Sequence, residues 1–302
     1  MTAIPSPARP SVPRATAIGS GAILMWATLA PLATLAGMVP PFQLVALSFG
    51  IAFLIGVAWS LARGENPLQH FRQPPAVWVL SVGGLFGFHF LYFLSLQNAP
   101  PVEANLVNYL WPLLIVLFSA LLPGEGLRAR HLVGALLGLG GTVLLITRGE
   151  GLTVSLEHLP GYALALGSAF TWAGYSILRR QVGDAPTEAV TGFCLATSLL
   201  SALCHLAWEP TVWPEQAVGW AALLALGIGP VGAAFFVWDH GVRHGDIRAL
   251  GALSYAAPLL STILLVAFGL ADGHWSVWVA CLLIVGGSLL ASSDLFRKQQ
   301  SR

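Results

Sequence analysis

The sequence predicts an all-α membrane protein of ten transmembrane helices, arranged as two inverted five-helix repeats. Three observations predict it. Of 302 residues, 56% are hydrophobic and only 9% charged, where a soluble domain carries about 25% charged residues. Ten apolar segments follow one another with short connections, and about 20 helical residues span a hydrocarbon core of about 30 Å. Finally, residues recur at one fixed offset of 146: Pro112 and Pro258, Tyr109 and Tyr255, Trp26 and Trp172, Pro40 and Pro186, Gly140-Gly141-Thr142 and Gly286-Gly287-Ser288. Five spans per half is an odd number, so the second half enters the membrane upside down relative to the first. Inverted repeats of this kind are a transporter design, with substrate bound near the midplane.

Taken in order, residues 1–16 hold four prolines, two arginines and no apolar period, and read as a disordered cytoplasmic tail. The first repeat, 17–147, has spans at 17–36, 42–62, 75–97, 102–122 and 130–147. The second, 159–293, has spans at 159–179, 186–208, 216–238, 248–270 and 275–293, before a cytoplasmic tail at 294–302. The first span resembles a signal peptide in its flanking arginines and small residues, but cleavage would remove the repeat partner of span six. Thirteen of the fourteen lysines and arginines fall on one side if both termini are cytoplasmic, with Arg148 alone on the other. That bias sets the expected orientation.

Span four, VEANLVNYLWPLLIVLFSALL, is the most informative stretch. Asn105, Asn108, Tyr109 and Pro112 share one face at 100° per residue. A proline cannot donate to the carbonyl four residues back, so Pro112 and Pro258 are expected to free the carbonyls of Asn108 and Ser254 and to act as hinges. Trp111 either borders a cavity beside that face or packs behind it. Span three adds His89, Tyr92, Phe93 and Leu96 on one face. Span six adds Ser168, Thr171, Trp172 and Tyr175, and span nine adds Ser254, Tyr255 and Ser261. An ionisable residue at mid-span marks His89 as functional. The glycine pairs of spans five and ten mark close-packed scaffold helices.

Absences narrow the chemistry. No arginine or lysine is placed deep in a span, so phosphate would lack its usual partner. No carboxylate is placed deep either, with Glu103, Glu188 and Asp239 at span ends. Three separated cysteines make no disulfide framework, and no Cys/His spacing suits a metal. Asp239, His240 and His244 cluster, but Gly241 and Gly245 suggest a loop there. No cofactor and no catalytic constellation is implied, and a net charge of +1 suggests no nucleic-acid partner. Aromatic walls, amides, hydroxyls and one histidine suit flat solutes with polar ends, or organic cations over ring faces.

Trp26-Ala27 and Trp172-Ala173, the prolines of spans four and nine, Leu122-Pro123-Gly124-Glu125 and the paired glycines resemble the drug/metabolite transporter superfamily, specifically its ten-span EamA-type members. The resemblance covers residues 17–293. Within it, NLVNYLWPLLIVLFSALL preceded by FHFLYFLSLQNAPPVEA looks like the aromatic amino acid exporters of that family. This implies efflux of aromatic amino acids, and of cations such as methyl viologen, across a bacterial inner membrane. The family's acidic counterpart to Glu125 is here Asp272, one residue out of register. The expected substrate site is His89, Tyr92, Asn108, Tyr109, Trp111, Trp172, Tyr175 and Tyr255, in a chain that functions as a monomer. The alternatives are a nucleotide-sugar or phosphate-ester carrier, or an intramembrane enzyme.

Overall fold

The computed structural model describes residues 11–123, 126–150, 155–182, 185–270 and 272–300, with side chains described as far as Ala291. Among the described residues the regular structure is helical throughout. Ten helical segments run as span one Val12–Ala36, two Pro41–Ala62, three Pro75–Asn98, four Pro101–Leu121 and five Ala129–Thr147. Span six follows at Leu159–Leu178, then seven Thr187–Trp208, eight Ala217–His244, nine Ile247–Ala267 and ten Trp275–Gln300. Eight are long and apolar enough to cross a membrane by length and composition. Span six falls outside that set because its 20 residues include Tyr162, Ser168, Thr171, Trp172, Tyr175 and Ser176.

Prolines fix several starts. Pro41, Pro75 and Pro101 occupy first helical turns, where the missing N–H would have had no intrahelical partner anyway. Pro13 does the same for span one. Its helix therefore begins at Val12, inside the stretch expected to be a disordered tail. At the other end, span ten stays helical through Gln300 and takes up most of the expected second tail. Glu125 lies outside the described residues.

Spans four and nine break at the same place in each repeat. Pro101–Asn108 gives way to Trp111–Phe118 across Tyr109 and Leu110. Ile247–Leu253 gives way to Ala256–Ala267 across Ser254 and Tyr255. Both breaks tighten into three-residue hydrogen bonds, Leu110 N to Val107 O at 3.1 Å and Tyr255 N to Ala252 O at 3.4 Å, as expected where a proline one turn later withholds its N–H. The Ser254 carbonyl is not left free, because Ala257 N donates to it at 3.1 Å. Span eight carries its own irregularity, a π-helical turn at Gly229–Ala233 around Pro230.

Packing follows a pseudo-two-fold arrangement. Equivalent spans two and seven pack together, as do five and ten, while span one packs on eight and span three on six. Of the predicted glycine pairs, Gly141 and Gly287 make the contact between spans five and ten. A Cβ on Gly287 would lie 2.5 Å from Gly134 O, whereas Gly140 and Gly286 face open space. Across the two–seven pair, the Glu209 carboxylate accepts from Phe42 N (2.9 Å) and Gln43 N (3.0 Å), an anion on a helix N-terminus.

Candidate binding site between the repeats

Where the two halves meet, four tryptophans from spans one, four, six and eight form an aromatic floor. Trp172 and Trp238 stack at 6.1 Å with planes 24° apart, and Trp26 lies 5.0 Å from Trp238 and 5.7 Å from Trp172. Trp111 meets Trp26, Trp172 and Trp238 edge-on at 6.1, 6.3 and 6.0 Å. Edge-to-face pairs satisfy the ring quadrupoles, and the polar atoms of two rings are anchored. Trp26 Nε1 donates to Pro230 O at 3.1 Å, and Trp238 Nε1 to Ser176 Oγ at 3.1 Å. The π turn of span eight is thus where an indole from the other repeat docks.

On one side of this floor stand His89 and Tyr92 of span three. The His89 ring is boxed by Phe49 (5.5 Å), Phe88 (5.2 Å), Phe93 (6.1 Å) and Phe235 (6.3 Å). Its Nδ1 lies 2.7 Å from the Leu85 carbonyl. A carbonyl only accepts, so Nδ1 carries a proton, and in the neutral ring Nε2 is the acceptor. Tyr92 donates to Asn105 Oδ1 and stacks on Phe88 at 6.0 Å, and Phe88 reaches Trp172 at 5.5 Å. Asn108 is buried, with the Ser168 hydroxyl 2.7 Å from its Oδ1 and equally close to the Ala165 carbonyl.

The structure therefore brings together His89, Tyr92, Trp111 and Trp172 of the expected set, with Trp111 in the floor. Tyr175 extends it from below, 5.3 Å from Trp172 and buried against Gly84. Tyr109 is half-buried at the break of span four. Tyr255 does not join: it is buried against Gly138 in a separate core cluster with Val116, Ile284 and Leu259. Trp26, Trp238, Phe49, Phe88 and Phe235 belong to the constellation and were not among the expected residues. An offset of 146 pairs Tyr92 with Trp238, which was the available signal for the latter.

The other side of the floor is closed, and it is charged. Arg179 and Asp239 are both 0% exposed, with Arg179 Nε 2.7 Å from Asp239 Oδ1. Thr187 donates to Asp239 Oδ2 at 2.9 Å, Arg243 Nη1 lies 3.8 Å from the same oxygen, and Arg179 Nη2 donates to Ala185 O at 2.9 Å. This corrects the expectation of an uncharged interior. Charges at predicted span ends are buried here because spans six, seven and eight converge over them. Span eight also continues helically through Gly241 to His244 instead of looping, which stacks His240 on His244 at 4.7 Å. Among the described residues no three His, Cys, Asp or Glu side chains gather as metal ligands.

Closure is sealed by close approach. A Cβ on Gly19 would sit 2.8 Å from Gly241 Cα and against Leu250. The short first helix of span nine is buried at Ile247, Ala249, Leu250, Gly251 and Ala252, capped by the Asp246 carboxylate, which accepts from Arg248 N and Ala249 N.

Comparison with known proteins agrees with this architecture. The model of the EamA-like transporter family matches residues 15–147 and 159–293. A protein of Ancylobacter novellus named "Aromatic amino acid exporter YddG" is 55% identical over 279 residues, covering 92% of this chain and 96% of its own. A protein of the same name from Escherichia coli K12 is 28% identical over 291 residues, with the same coverage. A solved structure described as "Crystal structure of protein" is 54% identical and superposes with a TM-score of 0.88, over 93% of this chain and 98% of that one. With both five-helix repeats matched and a relative more than half identical over nearly the whole chain, this multi-pass membrane protein belongs to the EamA-like transporter family, within the drug/metabolite transporter superfamily.

Proposed function

We propose that this protein exports aromatic amino acids across a bacterial inner membrane, by alternating access around the aromatic floor, as a single chain with both termini cytoplasmic. The observation that carries this reading is the four-tryptophan floor at the meeting point of the inverted halves, with His89 and Tyr92 beside it. Relatives at 55% and 28% identity, both named aromatic amino acid exporters, supply the substrate class. Arginine and lysine placement supplies the orientation. In that orientation the closed, charged end faces the cytoplasm, and the half-exposed outer part of span three, Phe86 to Leu94, faces outwards.

A substrate ring packs among Tyr92, Tyr109, Trp111 and Trp172, and His89 meets its polar end. Each aromatic pair adds roughly 0.5–1.5 kcal/mol beyond area burial, so affinity is modest and selectivity broad. A phosphate-ester carrier is less suited, since the Asp239 carboxylate beside Arg179, beneath the floor, repels a phosphate dianion. Liposome flux of tryptophan and phenylalanine against alanine and glutamate tests the proposal. Wild type moves the aromatic pair fastest, and Trp172→Ala and His89→Ala each lose about tenfold of that flux, equivalent to about 1.4 kcal/mol. Glutamate moving as fast as tryptophan would sink it.

The breaks in spans four and nine are the hinges of this motion, with Pro112 and Pro258 holding each break one turn downstream. The double variant Pro112→Ala/Pro258→Ala slows tryptophan transport several-fold while changing its affinity less than about twofold. Unchanged flux in a folded double variant removes the hinge.

A further inference from the structure

The aromatic floor accounts for a substrate's ring, but a free amino acid also carries a carboxylate and an ammonium. Neutral amides and one imidazole hold such charges weakly. One residue beyond Trp238, on the closed side of the floor, lies the only wholly buried ion pair among the described residues, Arg179 with Asp239. Stability alone gives it no reason to exist, because well-packed apolar residues in place of a buried pair are often as stable or more so. Its geometry is also incomplete. Arg179 meets the carboxylate through Nε, and its Nη1 has no hydrogen-bond partner among the described residues, so the two-pronged fork that suits a carboxylate is unused.

The repeat shows what these positions do when an end is open. At the 146-residue offset Asp239 corresponds to Phe93 and Arg179 to Ala33. Phe93 is partly exposed, beside His89 at 6.1 Å and Phe42 at 5.5 Å. When the halves exchange roles, Asp239 takes the setting that Phe93 has now.

We propose that Arg179 and Asp239 form the loading site for the charged groups of the substrate at the closed end, an inference that rests on the exporter reading above. With that end open, the Arg179 fork takes the α-carboxylate and Asp239 takes the α-ammonium of a zwitterion, each partner substituting for the other. Once the solute passes to the floor, the two side chains pair again and shut the passage behind it. The opposite end, with Ala33 and Phe93 in the same places, has no such pair at these positions and releases the zwitterion to water.

The test is competition against tryptophan flux in proteoliposomes by unlabelled tryptophan, tryptamine (no carboxylate) and indole-3-propionate (no ammonium). Competition is read so that leakage of the analogues through lipid does not matter. Wild type is inhibited by tryptophan about tenfold more strongly than by either analogue, and Arg179→Gln/Asp239→Asn brings all three within about twofold of one another. A second variant, Arg179→Lys, keeps the charge and the pair but gives up the fork. It loses preference over tryptamine and keeps preference over indole-3-propionate, and it carries the test if the double variant does not fold. Both preferences surviving in a folded variant would make the pair a latch only and overturn this inference. A wild-type protein that moves no tryptophan would instead overturn the exporter reading itself.

Discussion

The open-end half of spans three and four and the closed-end half of spans eight and nine are the same piece of fold, used twice and filled differently. At equivalent positions His89 faces Phe235, Tyr92 faces Trp238, Phe93 faces Asp239, Asn105 faces Gly251 and Pro100 faces Asp246. From Phe86 to Leu94 every residue keeps some exposed surface, whereas from Ala234 to Val242 only Phe236, Val237 and His240 do. Gly19 and Gly241 touch at the closed end, and their counterparts at the open end are Ala165 and Ser95. Backbone topology is therefore symmetric, while the choice of which end is shut lies in a handful of side chains. The Gly19–Gly241 contact, the buried Arg179–Asp239 pair and the Asp246 cap sit on the closed side.

The largest way to break that asymmetry is to leave the closed end with an unpaired charge. Asp239→Ala strips Arg179 of its partner and costs about 3–5 kcal/mol, read as a fall in thermal unfolding temperature in detergent. Phe93→Ala at the equivalent open position costs clearly less, because Phe93 is only partly buried. Equal losses would mean the two ends are energetically alike.

Thickening the glycine contact comes next. Gly19→Ala forces a Cβ to within 2.8 Å of Gly241 Cα, and overpacking of this kind costs about 1–3 kcal/mol. It pushes spans one and eight apart at the closed end. Labelling of a cysteine introduced at Thr187 by a membrane-impermeant thiol reagent should rise in that background. Unchanged labelling would place the seal elsewhere.

The smallest effect is a pH dependence with one sign. Burial raises the pKa of Asp246, but hydrogen bonding and charge from Arg248 and the N–H groups of Ala249 and Arg248 outweigh it and hold the carboxylate below its ordinary value. A group depressed in the folded state contributes stability that is complete above its unfolded value of about 3.9 and disappears as pH falls through the folded one. The contribution of this cap, on the order of 1 kcal/mol, is thus constant from neutral pH down to about 4 and lost below. Unfolding temperature against pH for wild type and Asp246→Ala should give curves that run parallel above about pH 4 and converge below it. Pro100, its counterpart, titrates nothing.

This comparison also marks what could be read from the chain. The helical membrane fold and the twofold repeat follow from hydropathy and from coincidences at one offset, both one-dimensional signals. Breaks in spans four and nine follow from Pro112 and Pro258, since a missing N–H acts locally. The environment of a repeated residue does not follow, because equivalent positions differ in an asymmetric state. Tyr109 and Tyr255 match in sequence, yet Tyr109 stays half-exposed while Tyr255 is buried in the scaffold. Arg179 and Asp239 read as interfacial charges because a helix end looks wet in one dimension. Only the convergence of three spans over them makes them dry.

The aromatic floor has an optical consequence. Four indoles within 5.0–6.3 Å, two stacked at 24° and others crossed near 90°, are close enough for their excited states to couple. They come from spans one, four, six and eight, so any exchange between open and closed ends changes their spacing. The protein thus carries its own reporter at the centre of its moving parts: near-ultraviolet circular dichroism, sensitive to the mutual orientation of these rings, will follow the cycle without a label.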